Sequence, residues 1–287
     1  MITDYIRATL LFILVVLAAD YRYGQNKALL ISEESSNQSQ PIERNATPPA
    51  SQTSASQTQS NSKDRSGLVV TAYPGTAKTA STNLRISQPA LNTDLTFENV
   101  LLRSRSFESP QYYGLRAGYF FPQAPFIGVE AEFIHLKVYS DPQQQVRVSG
   151  IQRGASINRQ IALGEIVQQY SISHGANFLL FNLAARRGFW REANSDRKHL
   201  ILTARAGLGP TIPHTESNIE GQQQEQYELG RLGWQVAGGA EVKLWRGLYA
   251  IGEYKYTQTR QRGNIAGGQA ESFLQTNHGV LGLSYHF

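Results

Sequence analysis

The stretch LGWQVAGGAEVKL, from Leu232 to Leu244, decides the fold because its residues alternate in polarity. The apolar set is Leu232, Trp234, Val236, Ala240, Val242 and Leu244, and the set between them includes Gly233, Gln235, Gly239, Glu241 and Lys243. Successive side chains of a β-strand point to opposite faces of its sheet. The alternation therefore predicts a strand with one apolar face and one polar, glycine-rich face.

Segments of this kind recur along the chain, and we count eight of them. They lie at about 93–104, 111–121, 126–139, 169–185, 199–214, 227–245, 248–259 and 273–287. Several exceed the strand length usual in soluble sheets and reach the roughly 9–11 residues of a tilted membrane-crossing strand. The connections are tight at 122–125 and 246–247, intermediate at 186–198, and long and polar at 140–168, 215–226 and 260–272. Short turns at one end and long loops at the other are typical of a bacterial outer-membrane barrel.

We therefore predict an all-β fold, an eight-stranded antiparallel transmembrane β-barrel of the outer membrane with a disordered N-terminal arm. Closing the sheet puts the apolar face in lipid, buries the polar face, and removes the unpaired edges that hydrocarbon does not tolerate. The final residues, GLSYHF, end on an aromatic residue and look like the assembly signal of outer-membrane proteins. The alternative, a soluble antiparallel barrel, usually puts its apolar residues inside.

The chain divides into three predicted regions. Residues 1–19 carry an apolar run after Arg7 that is short for a membrane span, so we expect an export signal peptide, with a retained anchor as the alternative. Residues 20–91 are expected to be a disordered periplasmic linker, since the low-complexity part at 33–66 has no aromatic residue. Residues 92–287 are expected to form the barrel, with its long loops facing outward.

Composition excludes several functional classes. The 287 residues include no cysteine, so a disulfide framework, a thiolate metal site and a cysteine nucleophile are excluded. The net charge of +5 comes from scattered residues, which does not predict a nucleic-acid partner. The chain has no nucleotide-binding glycine motif and no G-x-S-x-G elbow, so we expect no nucleotide cofactor. The expected partners are outer-membrane lipids, lipopolysaccharide and the barrel-assembly machinery, and the expected state is a monomer.

Charged residues at inward positions fill the predicted lumen, because an eight-stranded barrel is too narrow for a water channel. The predicted interior network consists of Arg116, Glu130, Glu132, Arg205, Glu241, Glu253, Lys255 and His278. Buried charges must be paired to be tolerated. We interpret the set as a structural network, with acid–base chemistry by its carboxylates as the alternative.

Three histidines are predicted on the outward faces of consecutive strands, toward the long loops. His135 continues the face of Ile127 to Phe133, and His214 continues the face of Leu200 to Ile212. In SISHGANFLLFNLAARR, from Ser171 to Arg187, His174 shares a predicted lipid face with Ile172, Ala176, Phe178 and Leu180. We predict that His135, His174 and His214 bind a divalent transition metal, with Glu216 in phase, and that His135 and His174 are catalytic. The alternative is a belt of histidines at headgroup level.

Two further features bear on this site. Pro210 and Pro213 favour a bulge that would turn His214 inward, so the His135–His174 pair is the stronger prediction. Arg260 and Arg262 are predicted to bind substrate phosphates, because arginine binds phosphate bidentately, with solvated loop charge as the alternative.

Four segments carry a family resemblance: GVEAEFIHLKVY, SHGANFLLFNLAAR, GLGPTIPHTE and EYKYTQTR. They resemble stretches of outer-membrane barrels designated lipid A oxidases, which have an OmpA/OmpX-like eight-stranded barrel, and the resemblance covers 92–287. It implies oxidation of the proximal glucosamine of lipid A to 2-aminogluconate with molecular oxygen. The alternatives are a non-enzymatic small barrel for envelope integrity or adhesion, and a carrier of small hydrophobic molecules.

Overall fold

The computed structural model describes residues 67–108, 111–191 and 197–287, without the side chains of 173–175 and 191. The predicted signal at 1–19 and most of the predicted linker lie outside these residues. The strands are β1 (Leu68–Thr79), β2 (Thr82–Gln88), β3 (Thr93–Val100), β4 (Leu102–Arg103), β5 (Tyr113–Phe121), β6 (Ala124–His135), β7 (Val138–Ser140), β8 (Gln145–Gln152), β9 (Ala155–Ala162), β10 (Val167–Arg191), β11 (Lys198–Ile219), β12 (Gln222–Tyr227), β13 (Leu232–Trp245), β14 (Leu248–Ile265) and β15 (Gly268–His286). Two short 3₁₀ helices span Pro89–Leu91 and Leu163–Glu165. A helix with the length and hydropathy of a membrane span is absent from the described residues.

Eight of these strands close into an antiparallel ring. Around the ring the order is β1, β5, β6, β10, β11, β13, β14 and β15. The seam between β1 and β15 is held by nine residue pairs, from Val69–His286 to Thr79–Thr276. Closure leaves no exposed strand edge in the ring, as a hydrocarbon environment requires. The predicted eight-stranded barrel is confirmed.

The first strand of the ring is not the predicted one. β1 lies inside the predicted linker 20–91, whereas the predicted first strand at 93–104 is divided between β3 and β4, outside the ring. Pro74 and Gly75 argue against a strand at β1, since proline cannot donate to the ladder. The structure nevertheless keeps one register on both sides of this pair, with Ala72 opposite Leu283 and Gly75 opposite Val280. The barrel domain therefore includes residues from about 68 onward, and the predicted boundary at 92 is wrong.

The outer surface of the ring carries an apolar girdle. Its members include Leu115, Val129, Phe181, Leu183, Leu202, Leu208, Val236, Val242 and Leu281, each at least 46% exposed. They alternate along their strands with inward positions, as β13 shows, where Gly233, Gln235, Ala237 and Glu241 are buried. Large contiguous apolar surfaces are rare on soluble monomers and are typical of the lipid-facing band of a membrane barrel.

The faces of β10 are the reverse of the prediction. Phe178 and Leu180 are 1% and 0% exposed, whereas Phe181 and Leu183 are 62% and 63% exposed on the girdle. The run FLLFNL, residues 178–183, is apolar at every position except Asn182, so alternation cannot select the inward face. Asn182 selects it, because its side chain hydrogen-bonds inside the lumen and its neighbours of the same parity must point inward too.

The long connections form an ordered cap at one end of the ring, which we call the cap end; the opposite end, with the tight connections β5–β6 and β13–β14, is the turn end. β2, β3, β8 and β9 make an antiparallel sheet that joins the ring where β2 pairs with β15. Its core includes Leu84, Ile86, Leu95, Phe97, Val146 and Val148, all at most 2% exposed. The prediction of polar loops at 140–168, 215–226 and 260–272 is therefore wrong. β10 and β11, at 25 and 22 residues, continue past the girdle and give the cap a surface to pack against.

Candidate functional site

The lumen is organised around the carboxylate of Glu132, which is fully buried. Its hydrogen-bond donors are Tyr73 at 2.5 Å, Asn182 at 2.9 Å, Arg116 at 3.2 Å, Gln235 and Lys255. Gly114 makes room for this arrangement, because a Cβ there would lie 2.2 Å from the Tyr73 hydroxyl oxygen. Only glycine allows the tyrosine ring to lie this close to the neighbouring strand.

Ion pairs extend from this hub through the interior. Lys255 and Arg116 lie 2.8 Å and 3.1 Å from Glu253, and Arg205 lies 2.8 Å from Glu130 and also contacts Glu253. All eight residues of the predicted interior set are at most 7% exposed: Arg116, Glu130, Glu132, Arg205, Glu241, Glu253, Lys255 and His278. Glu241 pairs with His286 at 2.7 Å, and His278 lies 2.8 Å from the Thr257 hydroxyl. Buried charges are tolerated when they are paired in this way, and removal of one partner would leave an uncompensated charge inside the barrel.

His135 lies on the outer face of β6, at the cap side of the girdle, but its neighbours cover it. The imidazole is stacked on Tyr113 with 5.2 Å between ring centroids, and Nδ1 lies 2.8 Å from Oδ1 of Asn177. The residue is only 5% exposed. His135 therefore has the predicted outer face, but its side chain is covered and not open to lipid, because sequence periodicity gives the face but not what packs over it. Its catalytic role stays a prediction.

His174 lies in a bulge of β10. Ile172 pairs with Thr215 and Ala176 pairs with Pro213, so residues 173–175 are opposite His214 alone. The bulge predicted at Pro210 and Pro213 of β11 is therefore found in β10, the strand that pairs with β11. The His174 side chain, predicted as a catalytic group and metal ligand, lies outside the described residues.

His135 does not lie beside His214 in the structure. Asn177 pairs with Ile212, and β10 separates β6 from β11, so His135 is two strands, or about 10 Å, from the strand of His214. His214 is also two residues further toward the cap than Ile212. His135 is not part of the group of histidine and carboxylate donor atoms found close together in the described residues, which consists of His214, Glu216 and Glu225.

His214 instead belongs to a cluster on the hairpin of β11 and β12. Glu220 and Gly221 both have positive φ, 51° and 80°, as a type I′ hairpin turn requires. This turn fixes the register and puts His214 opposite Tyr227, and Glu216 opposite Glu225. The Nε2 atom of His214 lies 3.0 Å from Oε1 of Glu225, and its Nδ1 atom lies 3.7 Å from Oε1 of Glu216.

This cluster, which we call the His214 cluster (His214, Glu216 and Glu225), has the chemistry of a metal site. One donor atom from each residue lies within 4.8 Å of the others, and no second such group of three occurs in the described part of the chain. The sequence pattern predicts His214 and Glu216 at this site but not Glu225, which lies in a glutamine-rich stretch without apolar alternation. The Glu220–Gly221 dipeptide is the sequence signal for Glu225, because a two-residue turn at these positions pairs residue 216 with residue 225.

The surroundings hold the cluster in place. Gln169 donates a hydrogen bond to Oε2 of Glu216 at 3.0 Å, and the Tyr227 ring lies 4.1 Å from the His214 ring. Burial, reinforced by the negative charge of Glu216, raises the pKa of the nearby Tyr139. The Tyr139 phenol therefore stays protonated near neutral pH and can act as a hydrogen-bond donor.

Arg260 and Arg262 lie on the outer face of β14, at the cap side of the girdle, and both are exposed. Arg262 and Arg231 share the carboxylate of Glu271, at 3.4 Å and 3.7 Å. Arg260 pairs across the sheet with Phe273 and has no ion-pair partner among the described residues. Of the two predicted phosphate ligands, Arg260 is therefore the one whose guanidinium is uncommitted.

The closed ring, the apolar girdle and the ion-paired lumen together define a small transmembrane β-barrel of the outer-membrane class. No family model matches the chain. A 95-residue part is 30% identical to the 25 kDa outer-membrane immunogenic protein of Brucella melitensis, and it covers 30% of this chain and 45% of that protein. The chain thus spans less than half the length of this curated relative.

Solved structures similar to the chain include three outer-membrane proteins. The protease OmpT from Escherichia coli matches at a TM-score of 0.41 with 10% identity, over 79% of this chain and 98% of OmpT. Neisserial surface protein A matches at 0.36 with 11% identity, over 77% and 98%. Ail, the attachment invasion locus protein of Yersinia pestis, matches at 0.31 with 11% identity, over 77% and 99%. With scores this low, the class assignment depends on the chain's own strand ring and surface.

Proposed function

We propose that this protein oxidises lipid A in the outer leaflet of the outer membrane, converting the proximal glucosamine to 2-aminogluconate with molecular oxygen. The observation that supports this proposal is the continuity of the outer face of β11. Exposed Leu208 and Ile212 of the girdle are followed, on the same face, by His214 and Glu216. A lipid whose acyl chains lie along the girdle would therefore present its sugars to the His214 cluster.

In this proposal the cap end faces outward, and the turn end faces the periplasm together with the N-terminal arm. Short connections on the periplasmic side and long ones outside are the usual arrangement of bacterial barrels. The headgroups of the outer leaflet then lie at the height where the girdle ends.

Each polar group on this rim has a proposed role. Arg260 binds a phosphate of the glucosamine disaccharide. It lies on β14, two strands or about 10 Å from β11, and level with Pro210, about 13 Å along the strand from His214. Oxidation at C1 of the proximal sugar removes two electrons and two protons, which molecular oxygen accepts to form hydrogen peroxide. Water then opens the resulting lactone, so the acid has one oxygen atom more than the starting sugar. A redox-active divalent metal bound at the cluster would supply the electron transfer to oxygen.

Mass spectrometry of lipid A tests the proposal. The full chain is expressed in an outer-membrane host whose lipid A has a free reducing end, with and without oxygen. We expect the mass of one additional oxygen atom on the proximal sugar only in the aerated cells. His214→Ala should abolish this product, whereas His199→Ala, an exposed histidine on the same strand, should retain it. Unmodified lipid A in aerated cells that contain the folded barrel would refute the proposal.

A non-enzymatic role in envelope integrity or adhesion is the second candidate, and the ordered cap favours it. The cap has an apolar core that is continuous with the apolar residues at the cap end of the ring, and it would present an ordered surface outside the membrane. If this role is the correct one, a deletion strain should lose detergent resistance or surface attachment, and the wild type and His214→Ala should restore it equally. The carrier alternative has no such support, because the β1–β15 seam is closed and charged side chains fill the described lumen.

A further inference from the structure

The pairing of Glu216 with Glu225 is unfavourable in an ordinary sheet. The two carboxylates are directly opposite each other on adjacent antiparallel strands. Like charges in this position destabilise a strand pair. The type I′ turn fixes the register, so the hairpin cannot slip to separate them. A positive charge between the carboxylates would turn this repulsion into attraction.

We propose that His214, Glu216 and Glu225 bind one divalent transition-metal ion of the Mn²⁺, Fe²⁺ or Zn²⁺ type. Ligands that bind one ion at about 2.0–2.2 Å lie about 3–4 Å from one another. In the structure one donor atom from each of the three residues lies within 4.8 Å of the other two, so small side-chain rotations bring them to this spacing around the one imidazole nitrogen that an ion can bind. An imidazole with two carboxylates favours borderline divalent ions over Mg²⁺ or Ca²⁺, which prefer oxygen ligands alone.

The second carboxylate oxygen of Glu216 is already held by the protein. Gln169 and Ser171 on β10 both point their polar groups at Oε2, at 3.0 Å and 3.5 Å, which leaves Oε1 directed at His214. The Tyr227 ring packs against the imidazole and restricts its rotation. Outer contacts of this kind orient the ligands of established metal sites and raise their affinity.

The exposure of the ligands is graded across the cluster. The side chains of His214, Glu216 and Glu225 are 4%, 22% and 62% exposed, so the site is closed on the β10 side and open on the β12 side. A metal held by three protein ligands keeps a position for an exogenous molecule. The inference deepens the proposed function, since this ion would serve lipid A oxidation, but metal binding is measured without any lipid substrate.

The test uses the full chain, purified in detergent and stripped with a chelator. Titration with Co²⁺ is followed by visible absorption, and titration with Zn²⁺ by calorimetry. We expect one ion per chain, with nitrogen and oxygen ligation evident in the Co²⁺ spectrum. His214→Ala and Glu225→Gln should each weaken binding by at least about tenfold. His199→Ala removes an exposed histidine from the same strand and should bind metal like the wild type.

Each outcome bears on a different claim. Absence of saturable binding by the folded wild type would refute the metal site. Equal binding by the wild type, His214→Ala and Glu225→Gln would also refute it. Metal binding with unmodified lipid A would refute only the oxidase proposal. Oxidised lipid A in cells with His214→Ala as well as in cells with the wild type would refute only the role of this ion in the oxidation.

Discussion

Replacing Glu132 with glutamine should destabilise the barrel more than any change of similar size on its surface. The central lumen pairs the acids Glu130, Glu132 and Glu253 with the bases Arg116, Arg205 and Lys255, three of each. Glu132→Gln keeps the shape of the side chain but leaves one positive charge uncompensated where exposure is essentially zero. Removing one partner of a buried pair costs about 3–5 kcal/mol.

Urea unfolding in detergent or lipid, followed by tryptophan fluorescence, measures this loss. The matched control is Glu271→Gln, which removes a half-exposed carboxylate from its ion pairs with Arg262 and Arg231 and should cost less than about 1 kcal/mol. The double variant Glu132→Gln/Lys255→Met removes one acid and one base, so it should recover part of the stability lost in the single variant. Two results would refute the reasoning that charge balance in the lumen stabilises the barrel. One is that Glu132→Gln unfolds with the same free energy as the wild type, and the other is that Lys255→Met adds to the loss.

Three further predictions follow from the girdle and the cap. Leu183→Arg should lower the free energy of unfolding by about 2–4 kcal/mol because it puts a charge in lipid. Ile151→Arg in the cap should lower it by less than about 1 kcal/mol. Equal losses in urea unfolding would contradict the assignment of the girdle. A spin label at Leu183 should be accessible to lipid-dissolved oxygen and a label at Leu180 should not, and the reverse result would restore the sequence-predicted face of β10. Burial raises the pKa of Glu220, but its hydrogen bonds from Arg153 and Gln152 outweigh burial and lower the pKa below the ordinary 4.5. The stability from this contact is therefore present above pH 4.5 and is lost as the pH falls through the lower pKa that Glu220 has in the folded state. Hydrogen exchange at the β8–β9 turn should rise as the pH falls through this pKa. Glu220→Gln should abolish the pH dependence.

Sequence periodicity predicts the ring wherever one face of a strand is clearly polar. In β13 and β11 the apolar and polar positions separate cleanly, and the observed girdle follows them. In β10 both faces are apolar between Phe178 and Leu183, so the choice between them depends on a single residue, Asn182, and its partner on another strand. Periodicity carries no information about such long-range contacts.

The candidate site shows the same limit. His214 and Glu216 can be placed on one outer face from the sequence, because both positions have the parity of the girdle residues before them. Glu225 requires the hairpin register, which the turn at Glu220 and Gly221 decides. The covering of His135 by Tyr113 depends on a pairing between β5 and β6 that the sequence predicts only approximately.

One strand, β15, is shared between the membrane ring and the cap. Toward the turn end it borders β1 and β14, and at Gln269–Glu271 it borders β14 and β2. In most barrels the surface connections are separate loops, so their lengths and sequences vary freely. Here an insertion or a replaced segment in the cap would shift the register of β15, which also closes the ring against β1. The structure of the cap can therefore change only together with that of the transmembrane ring.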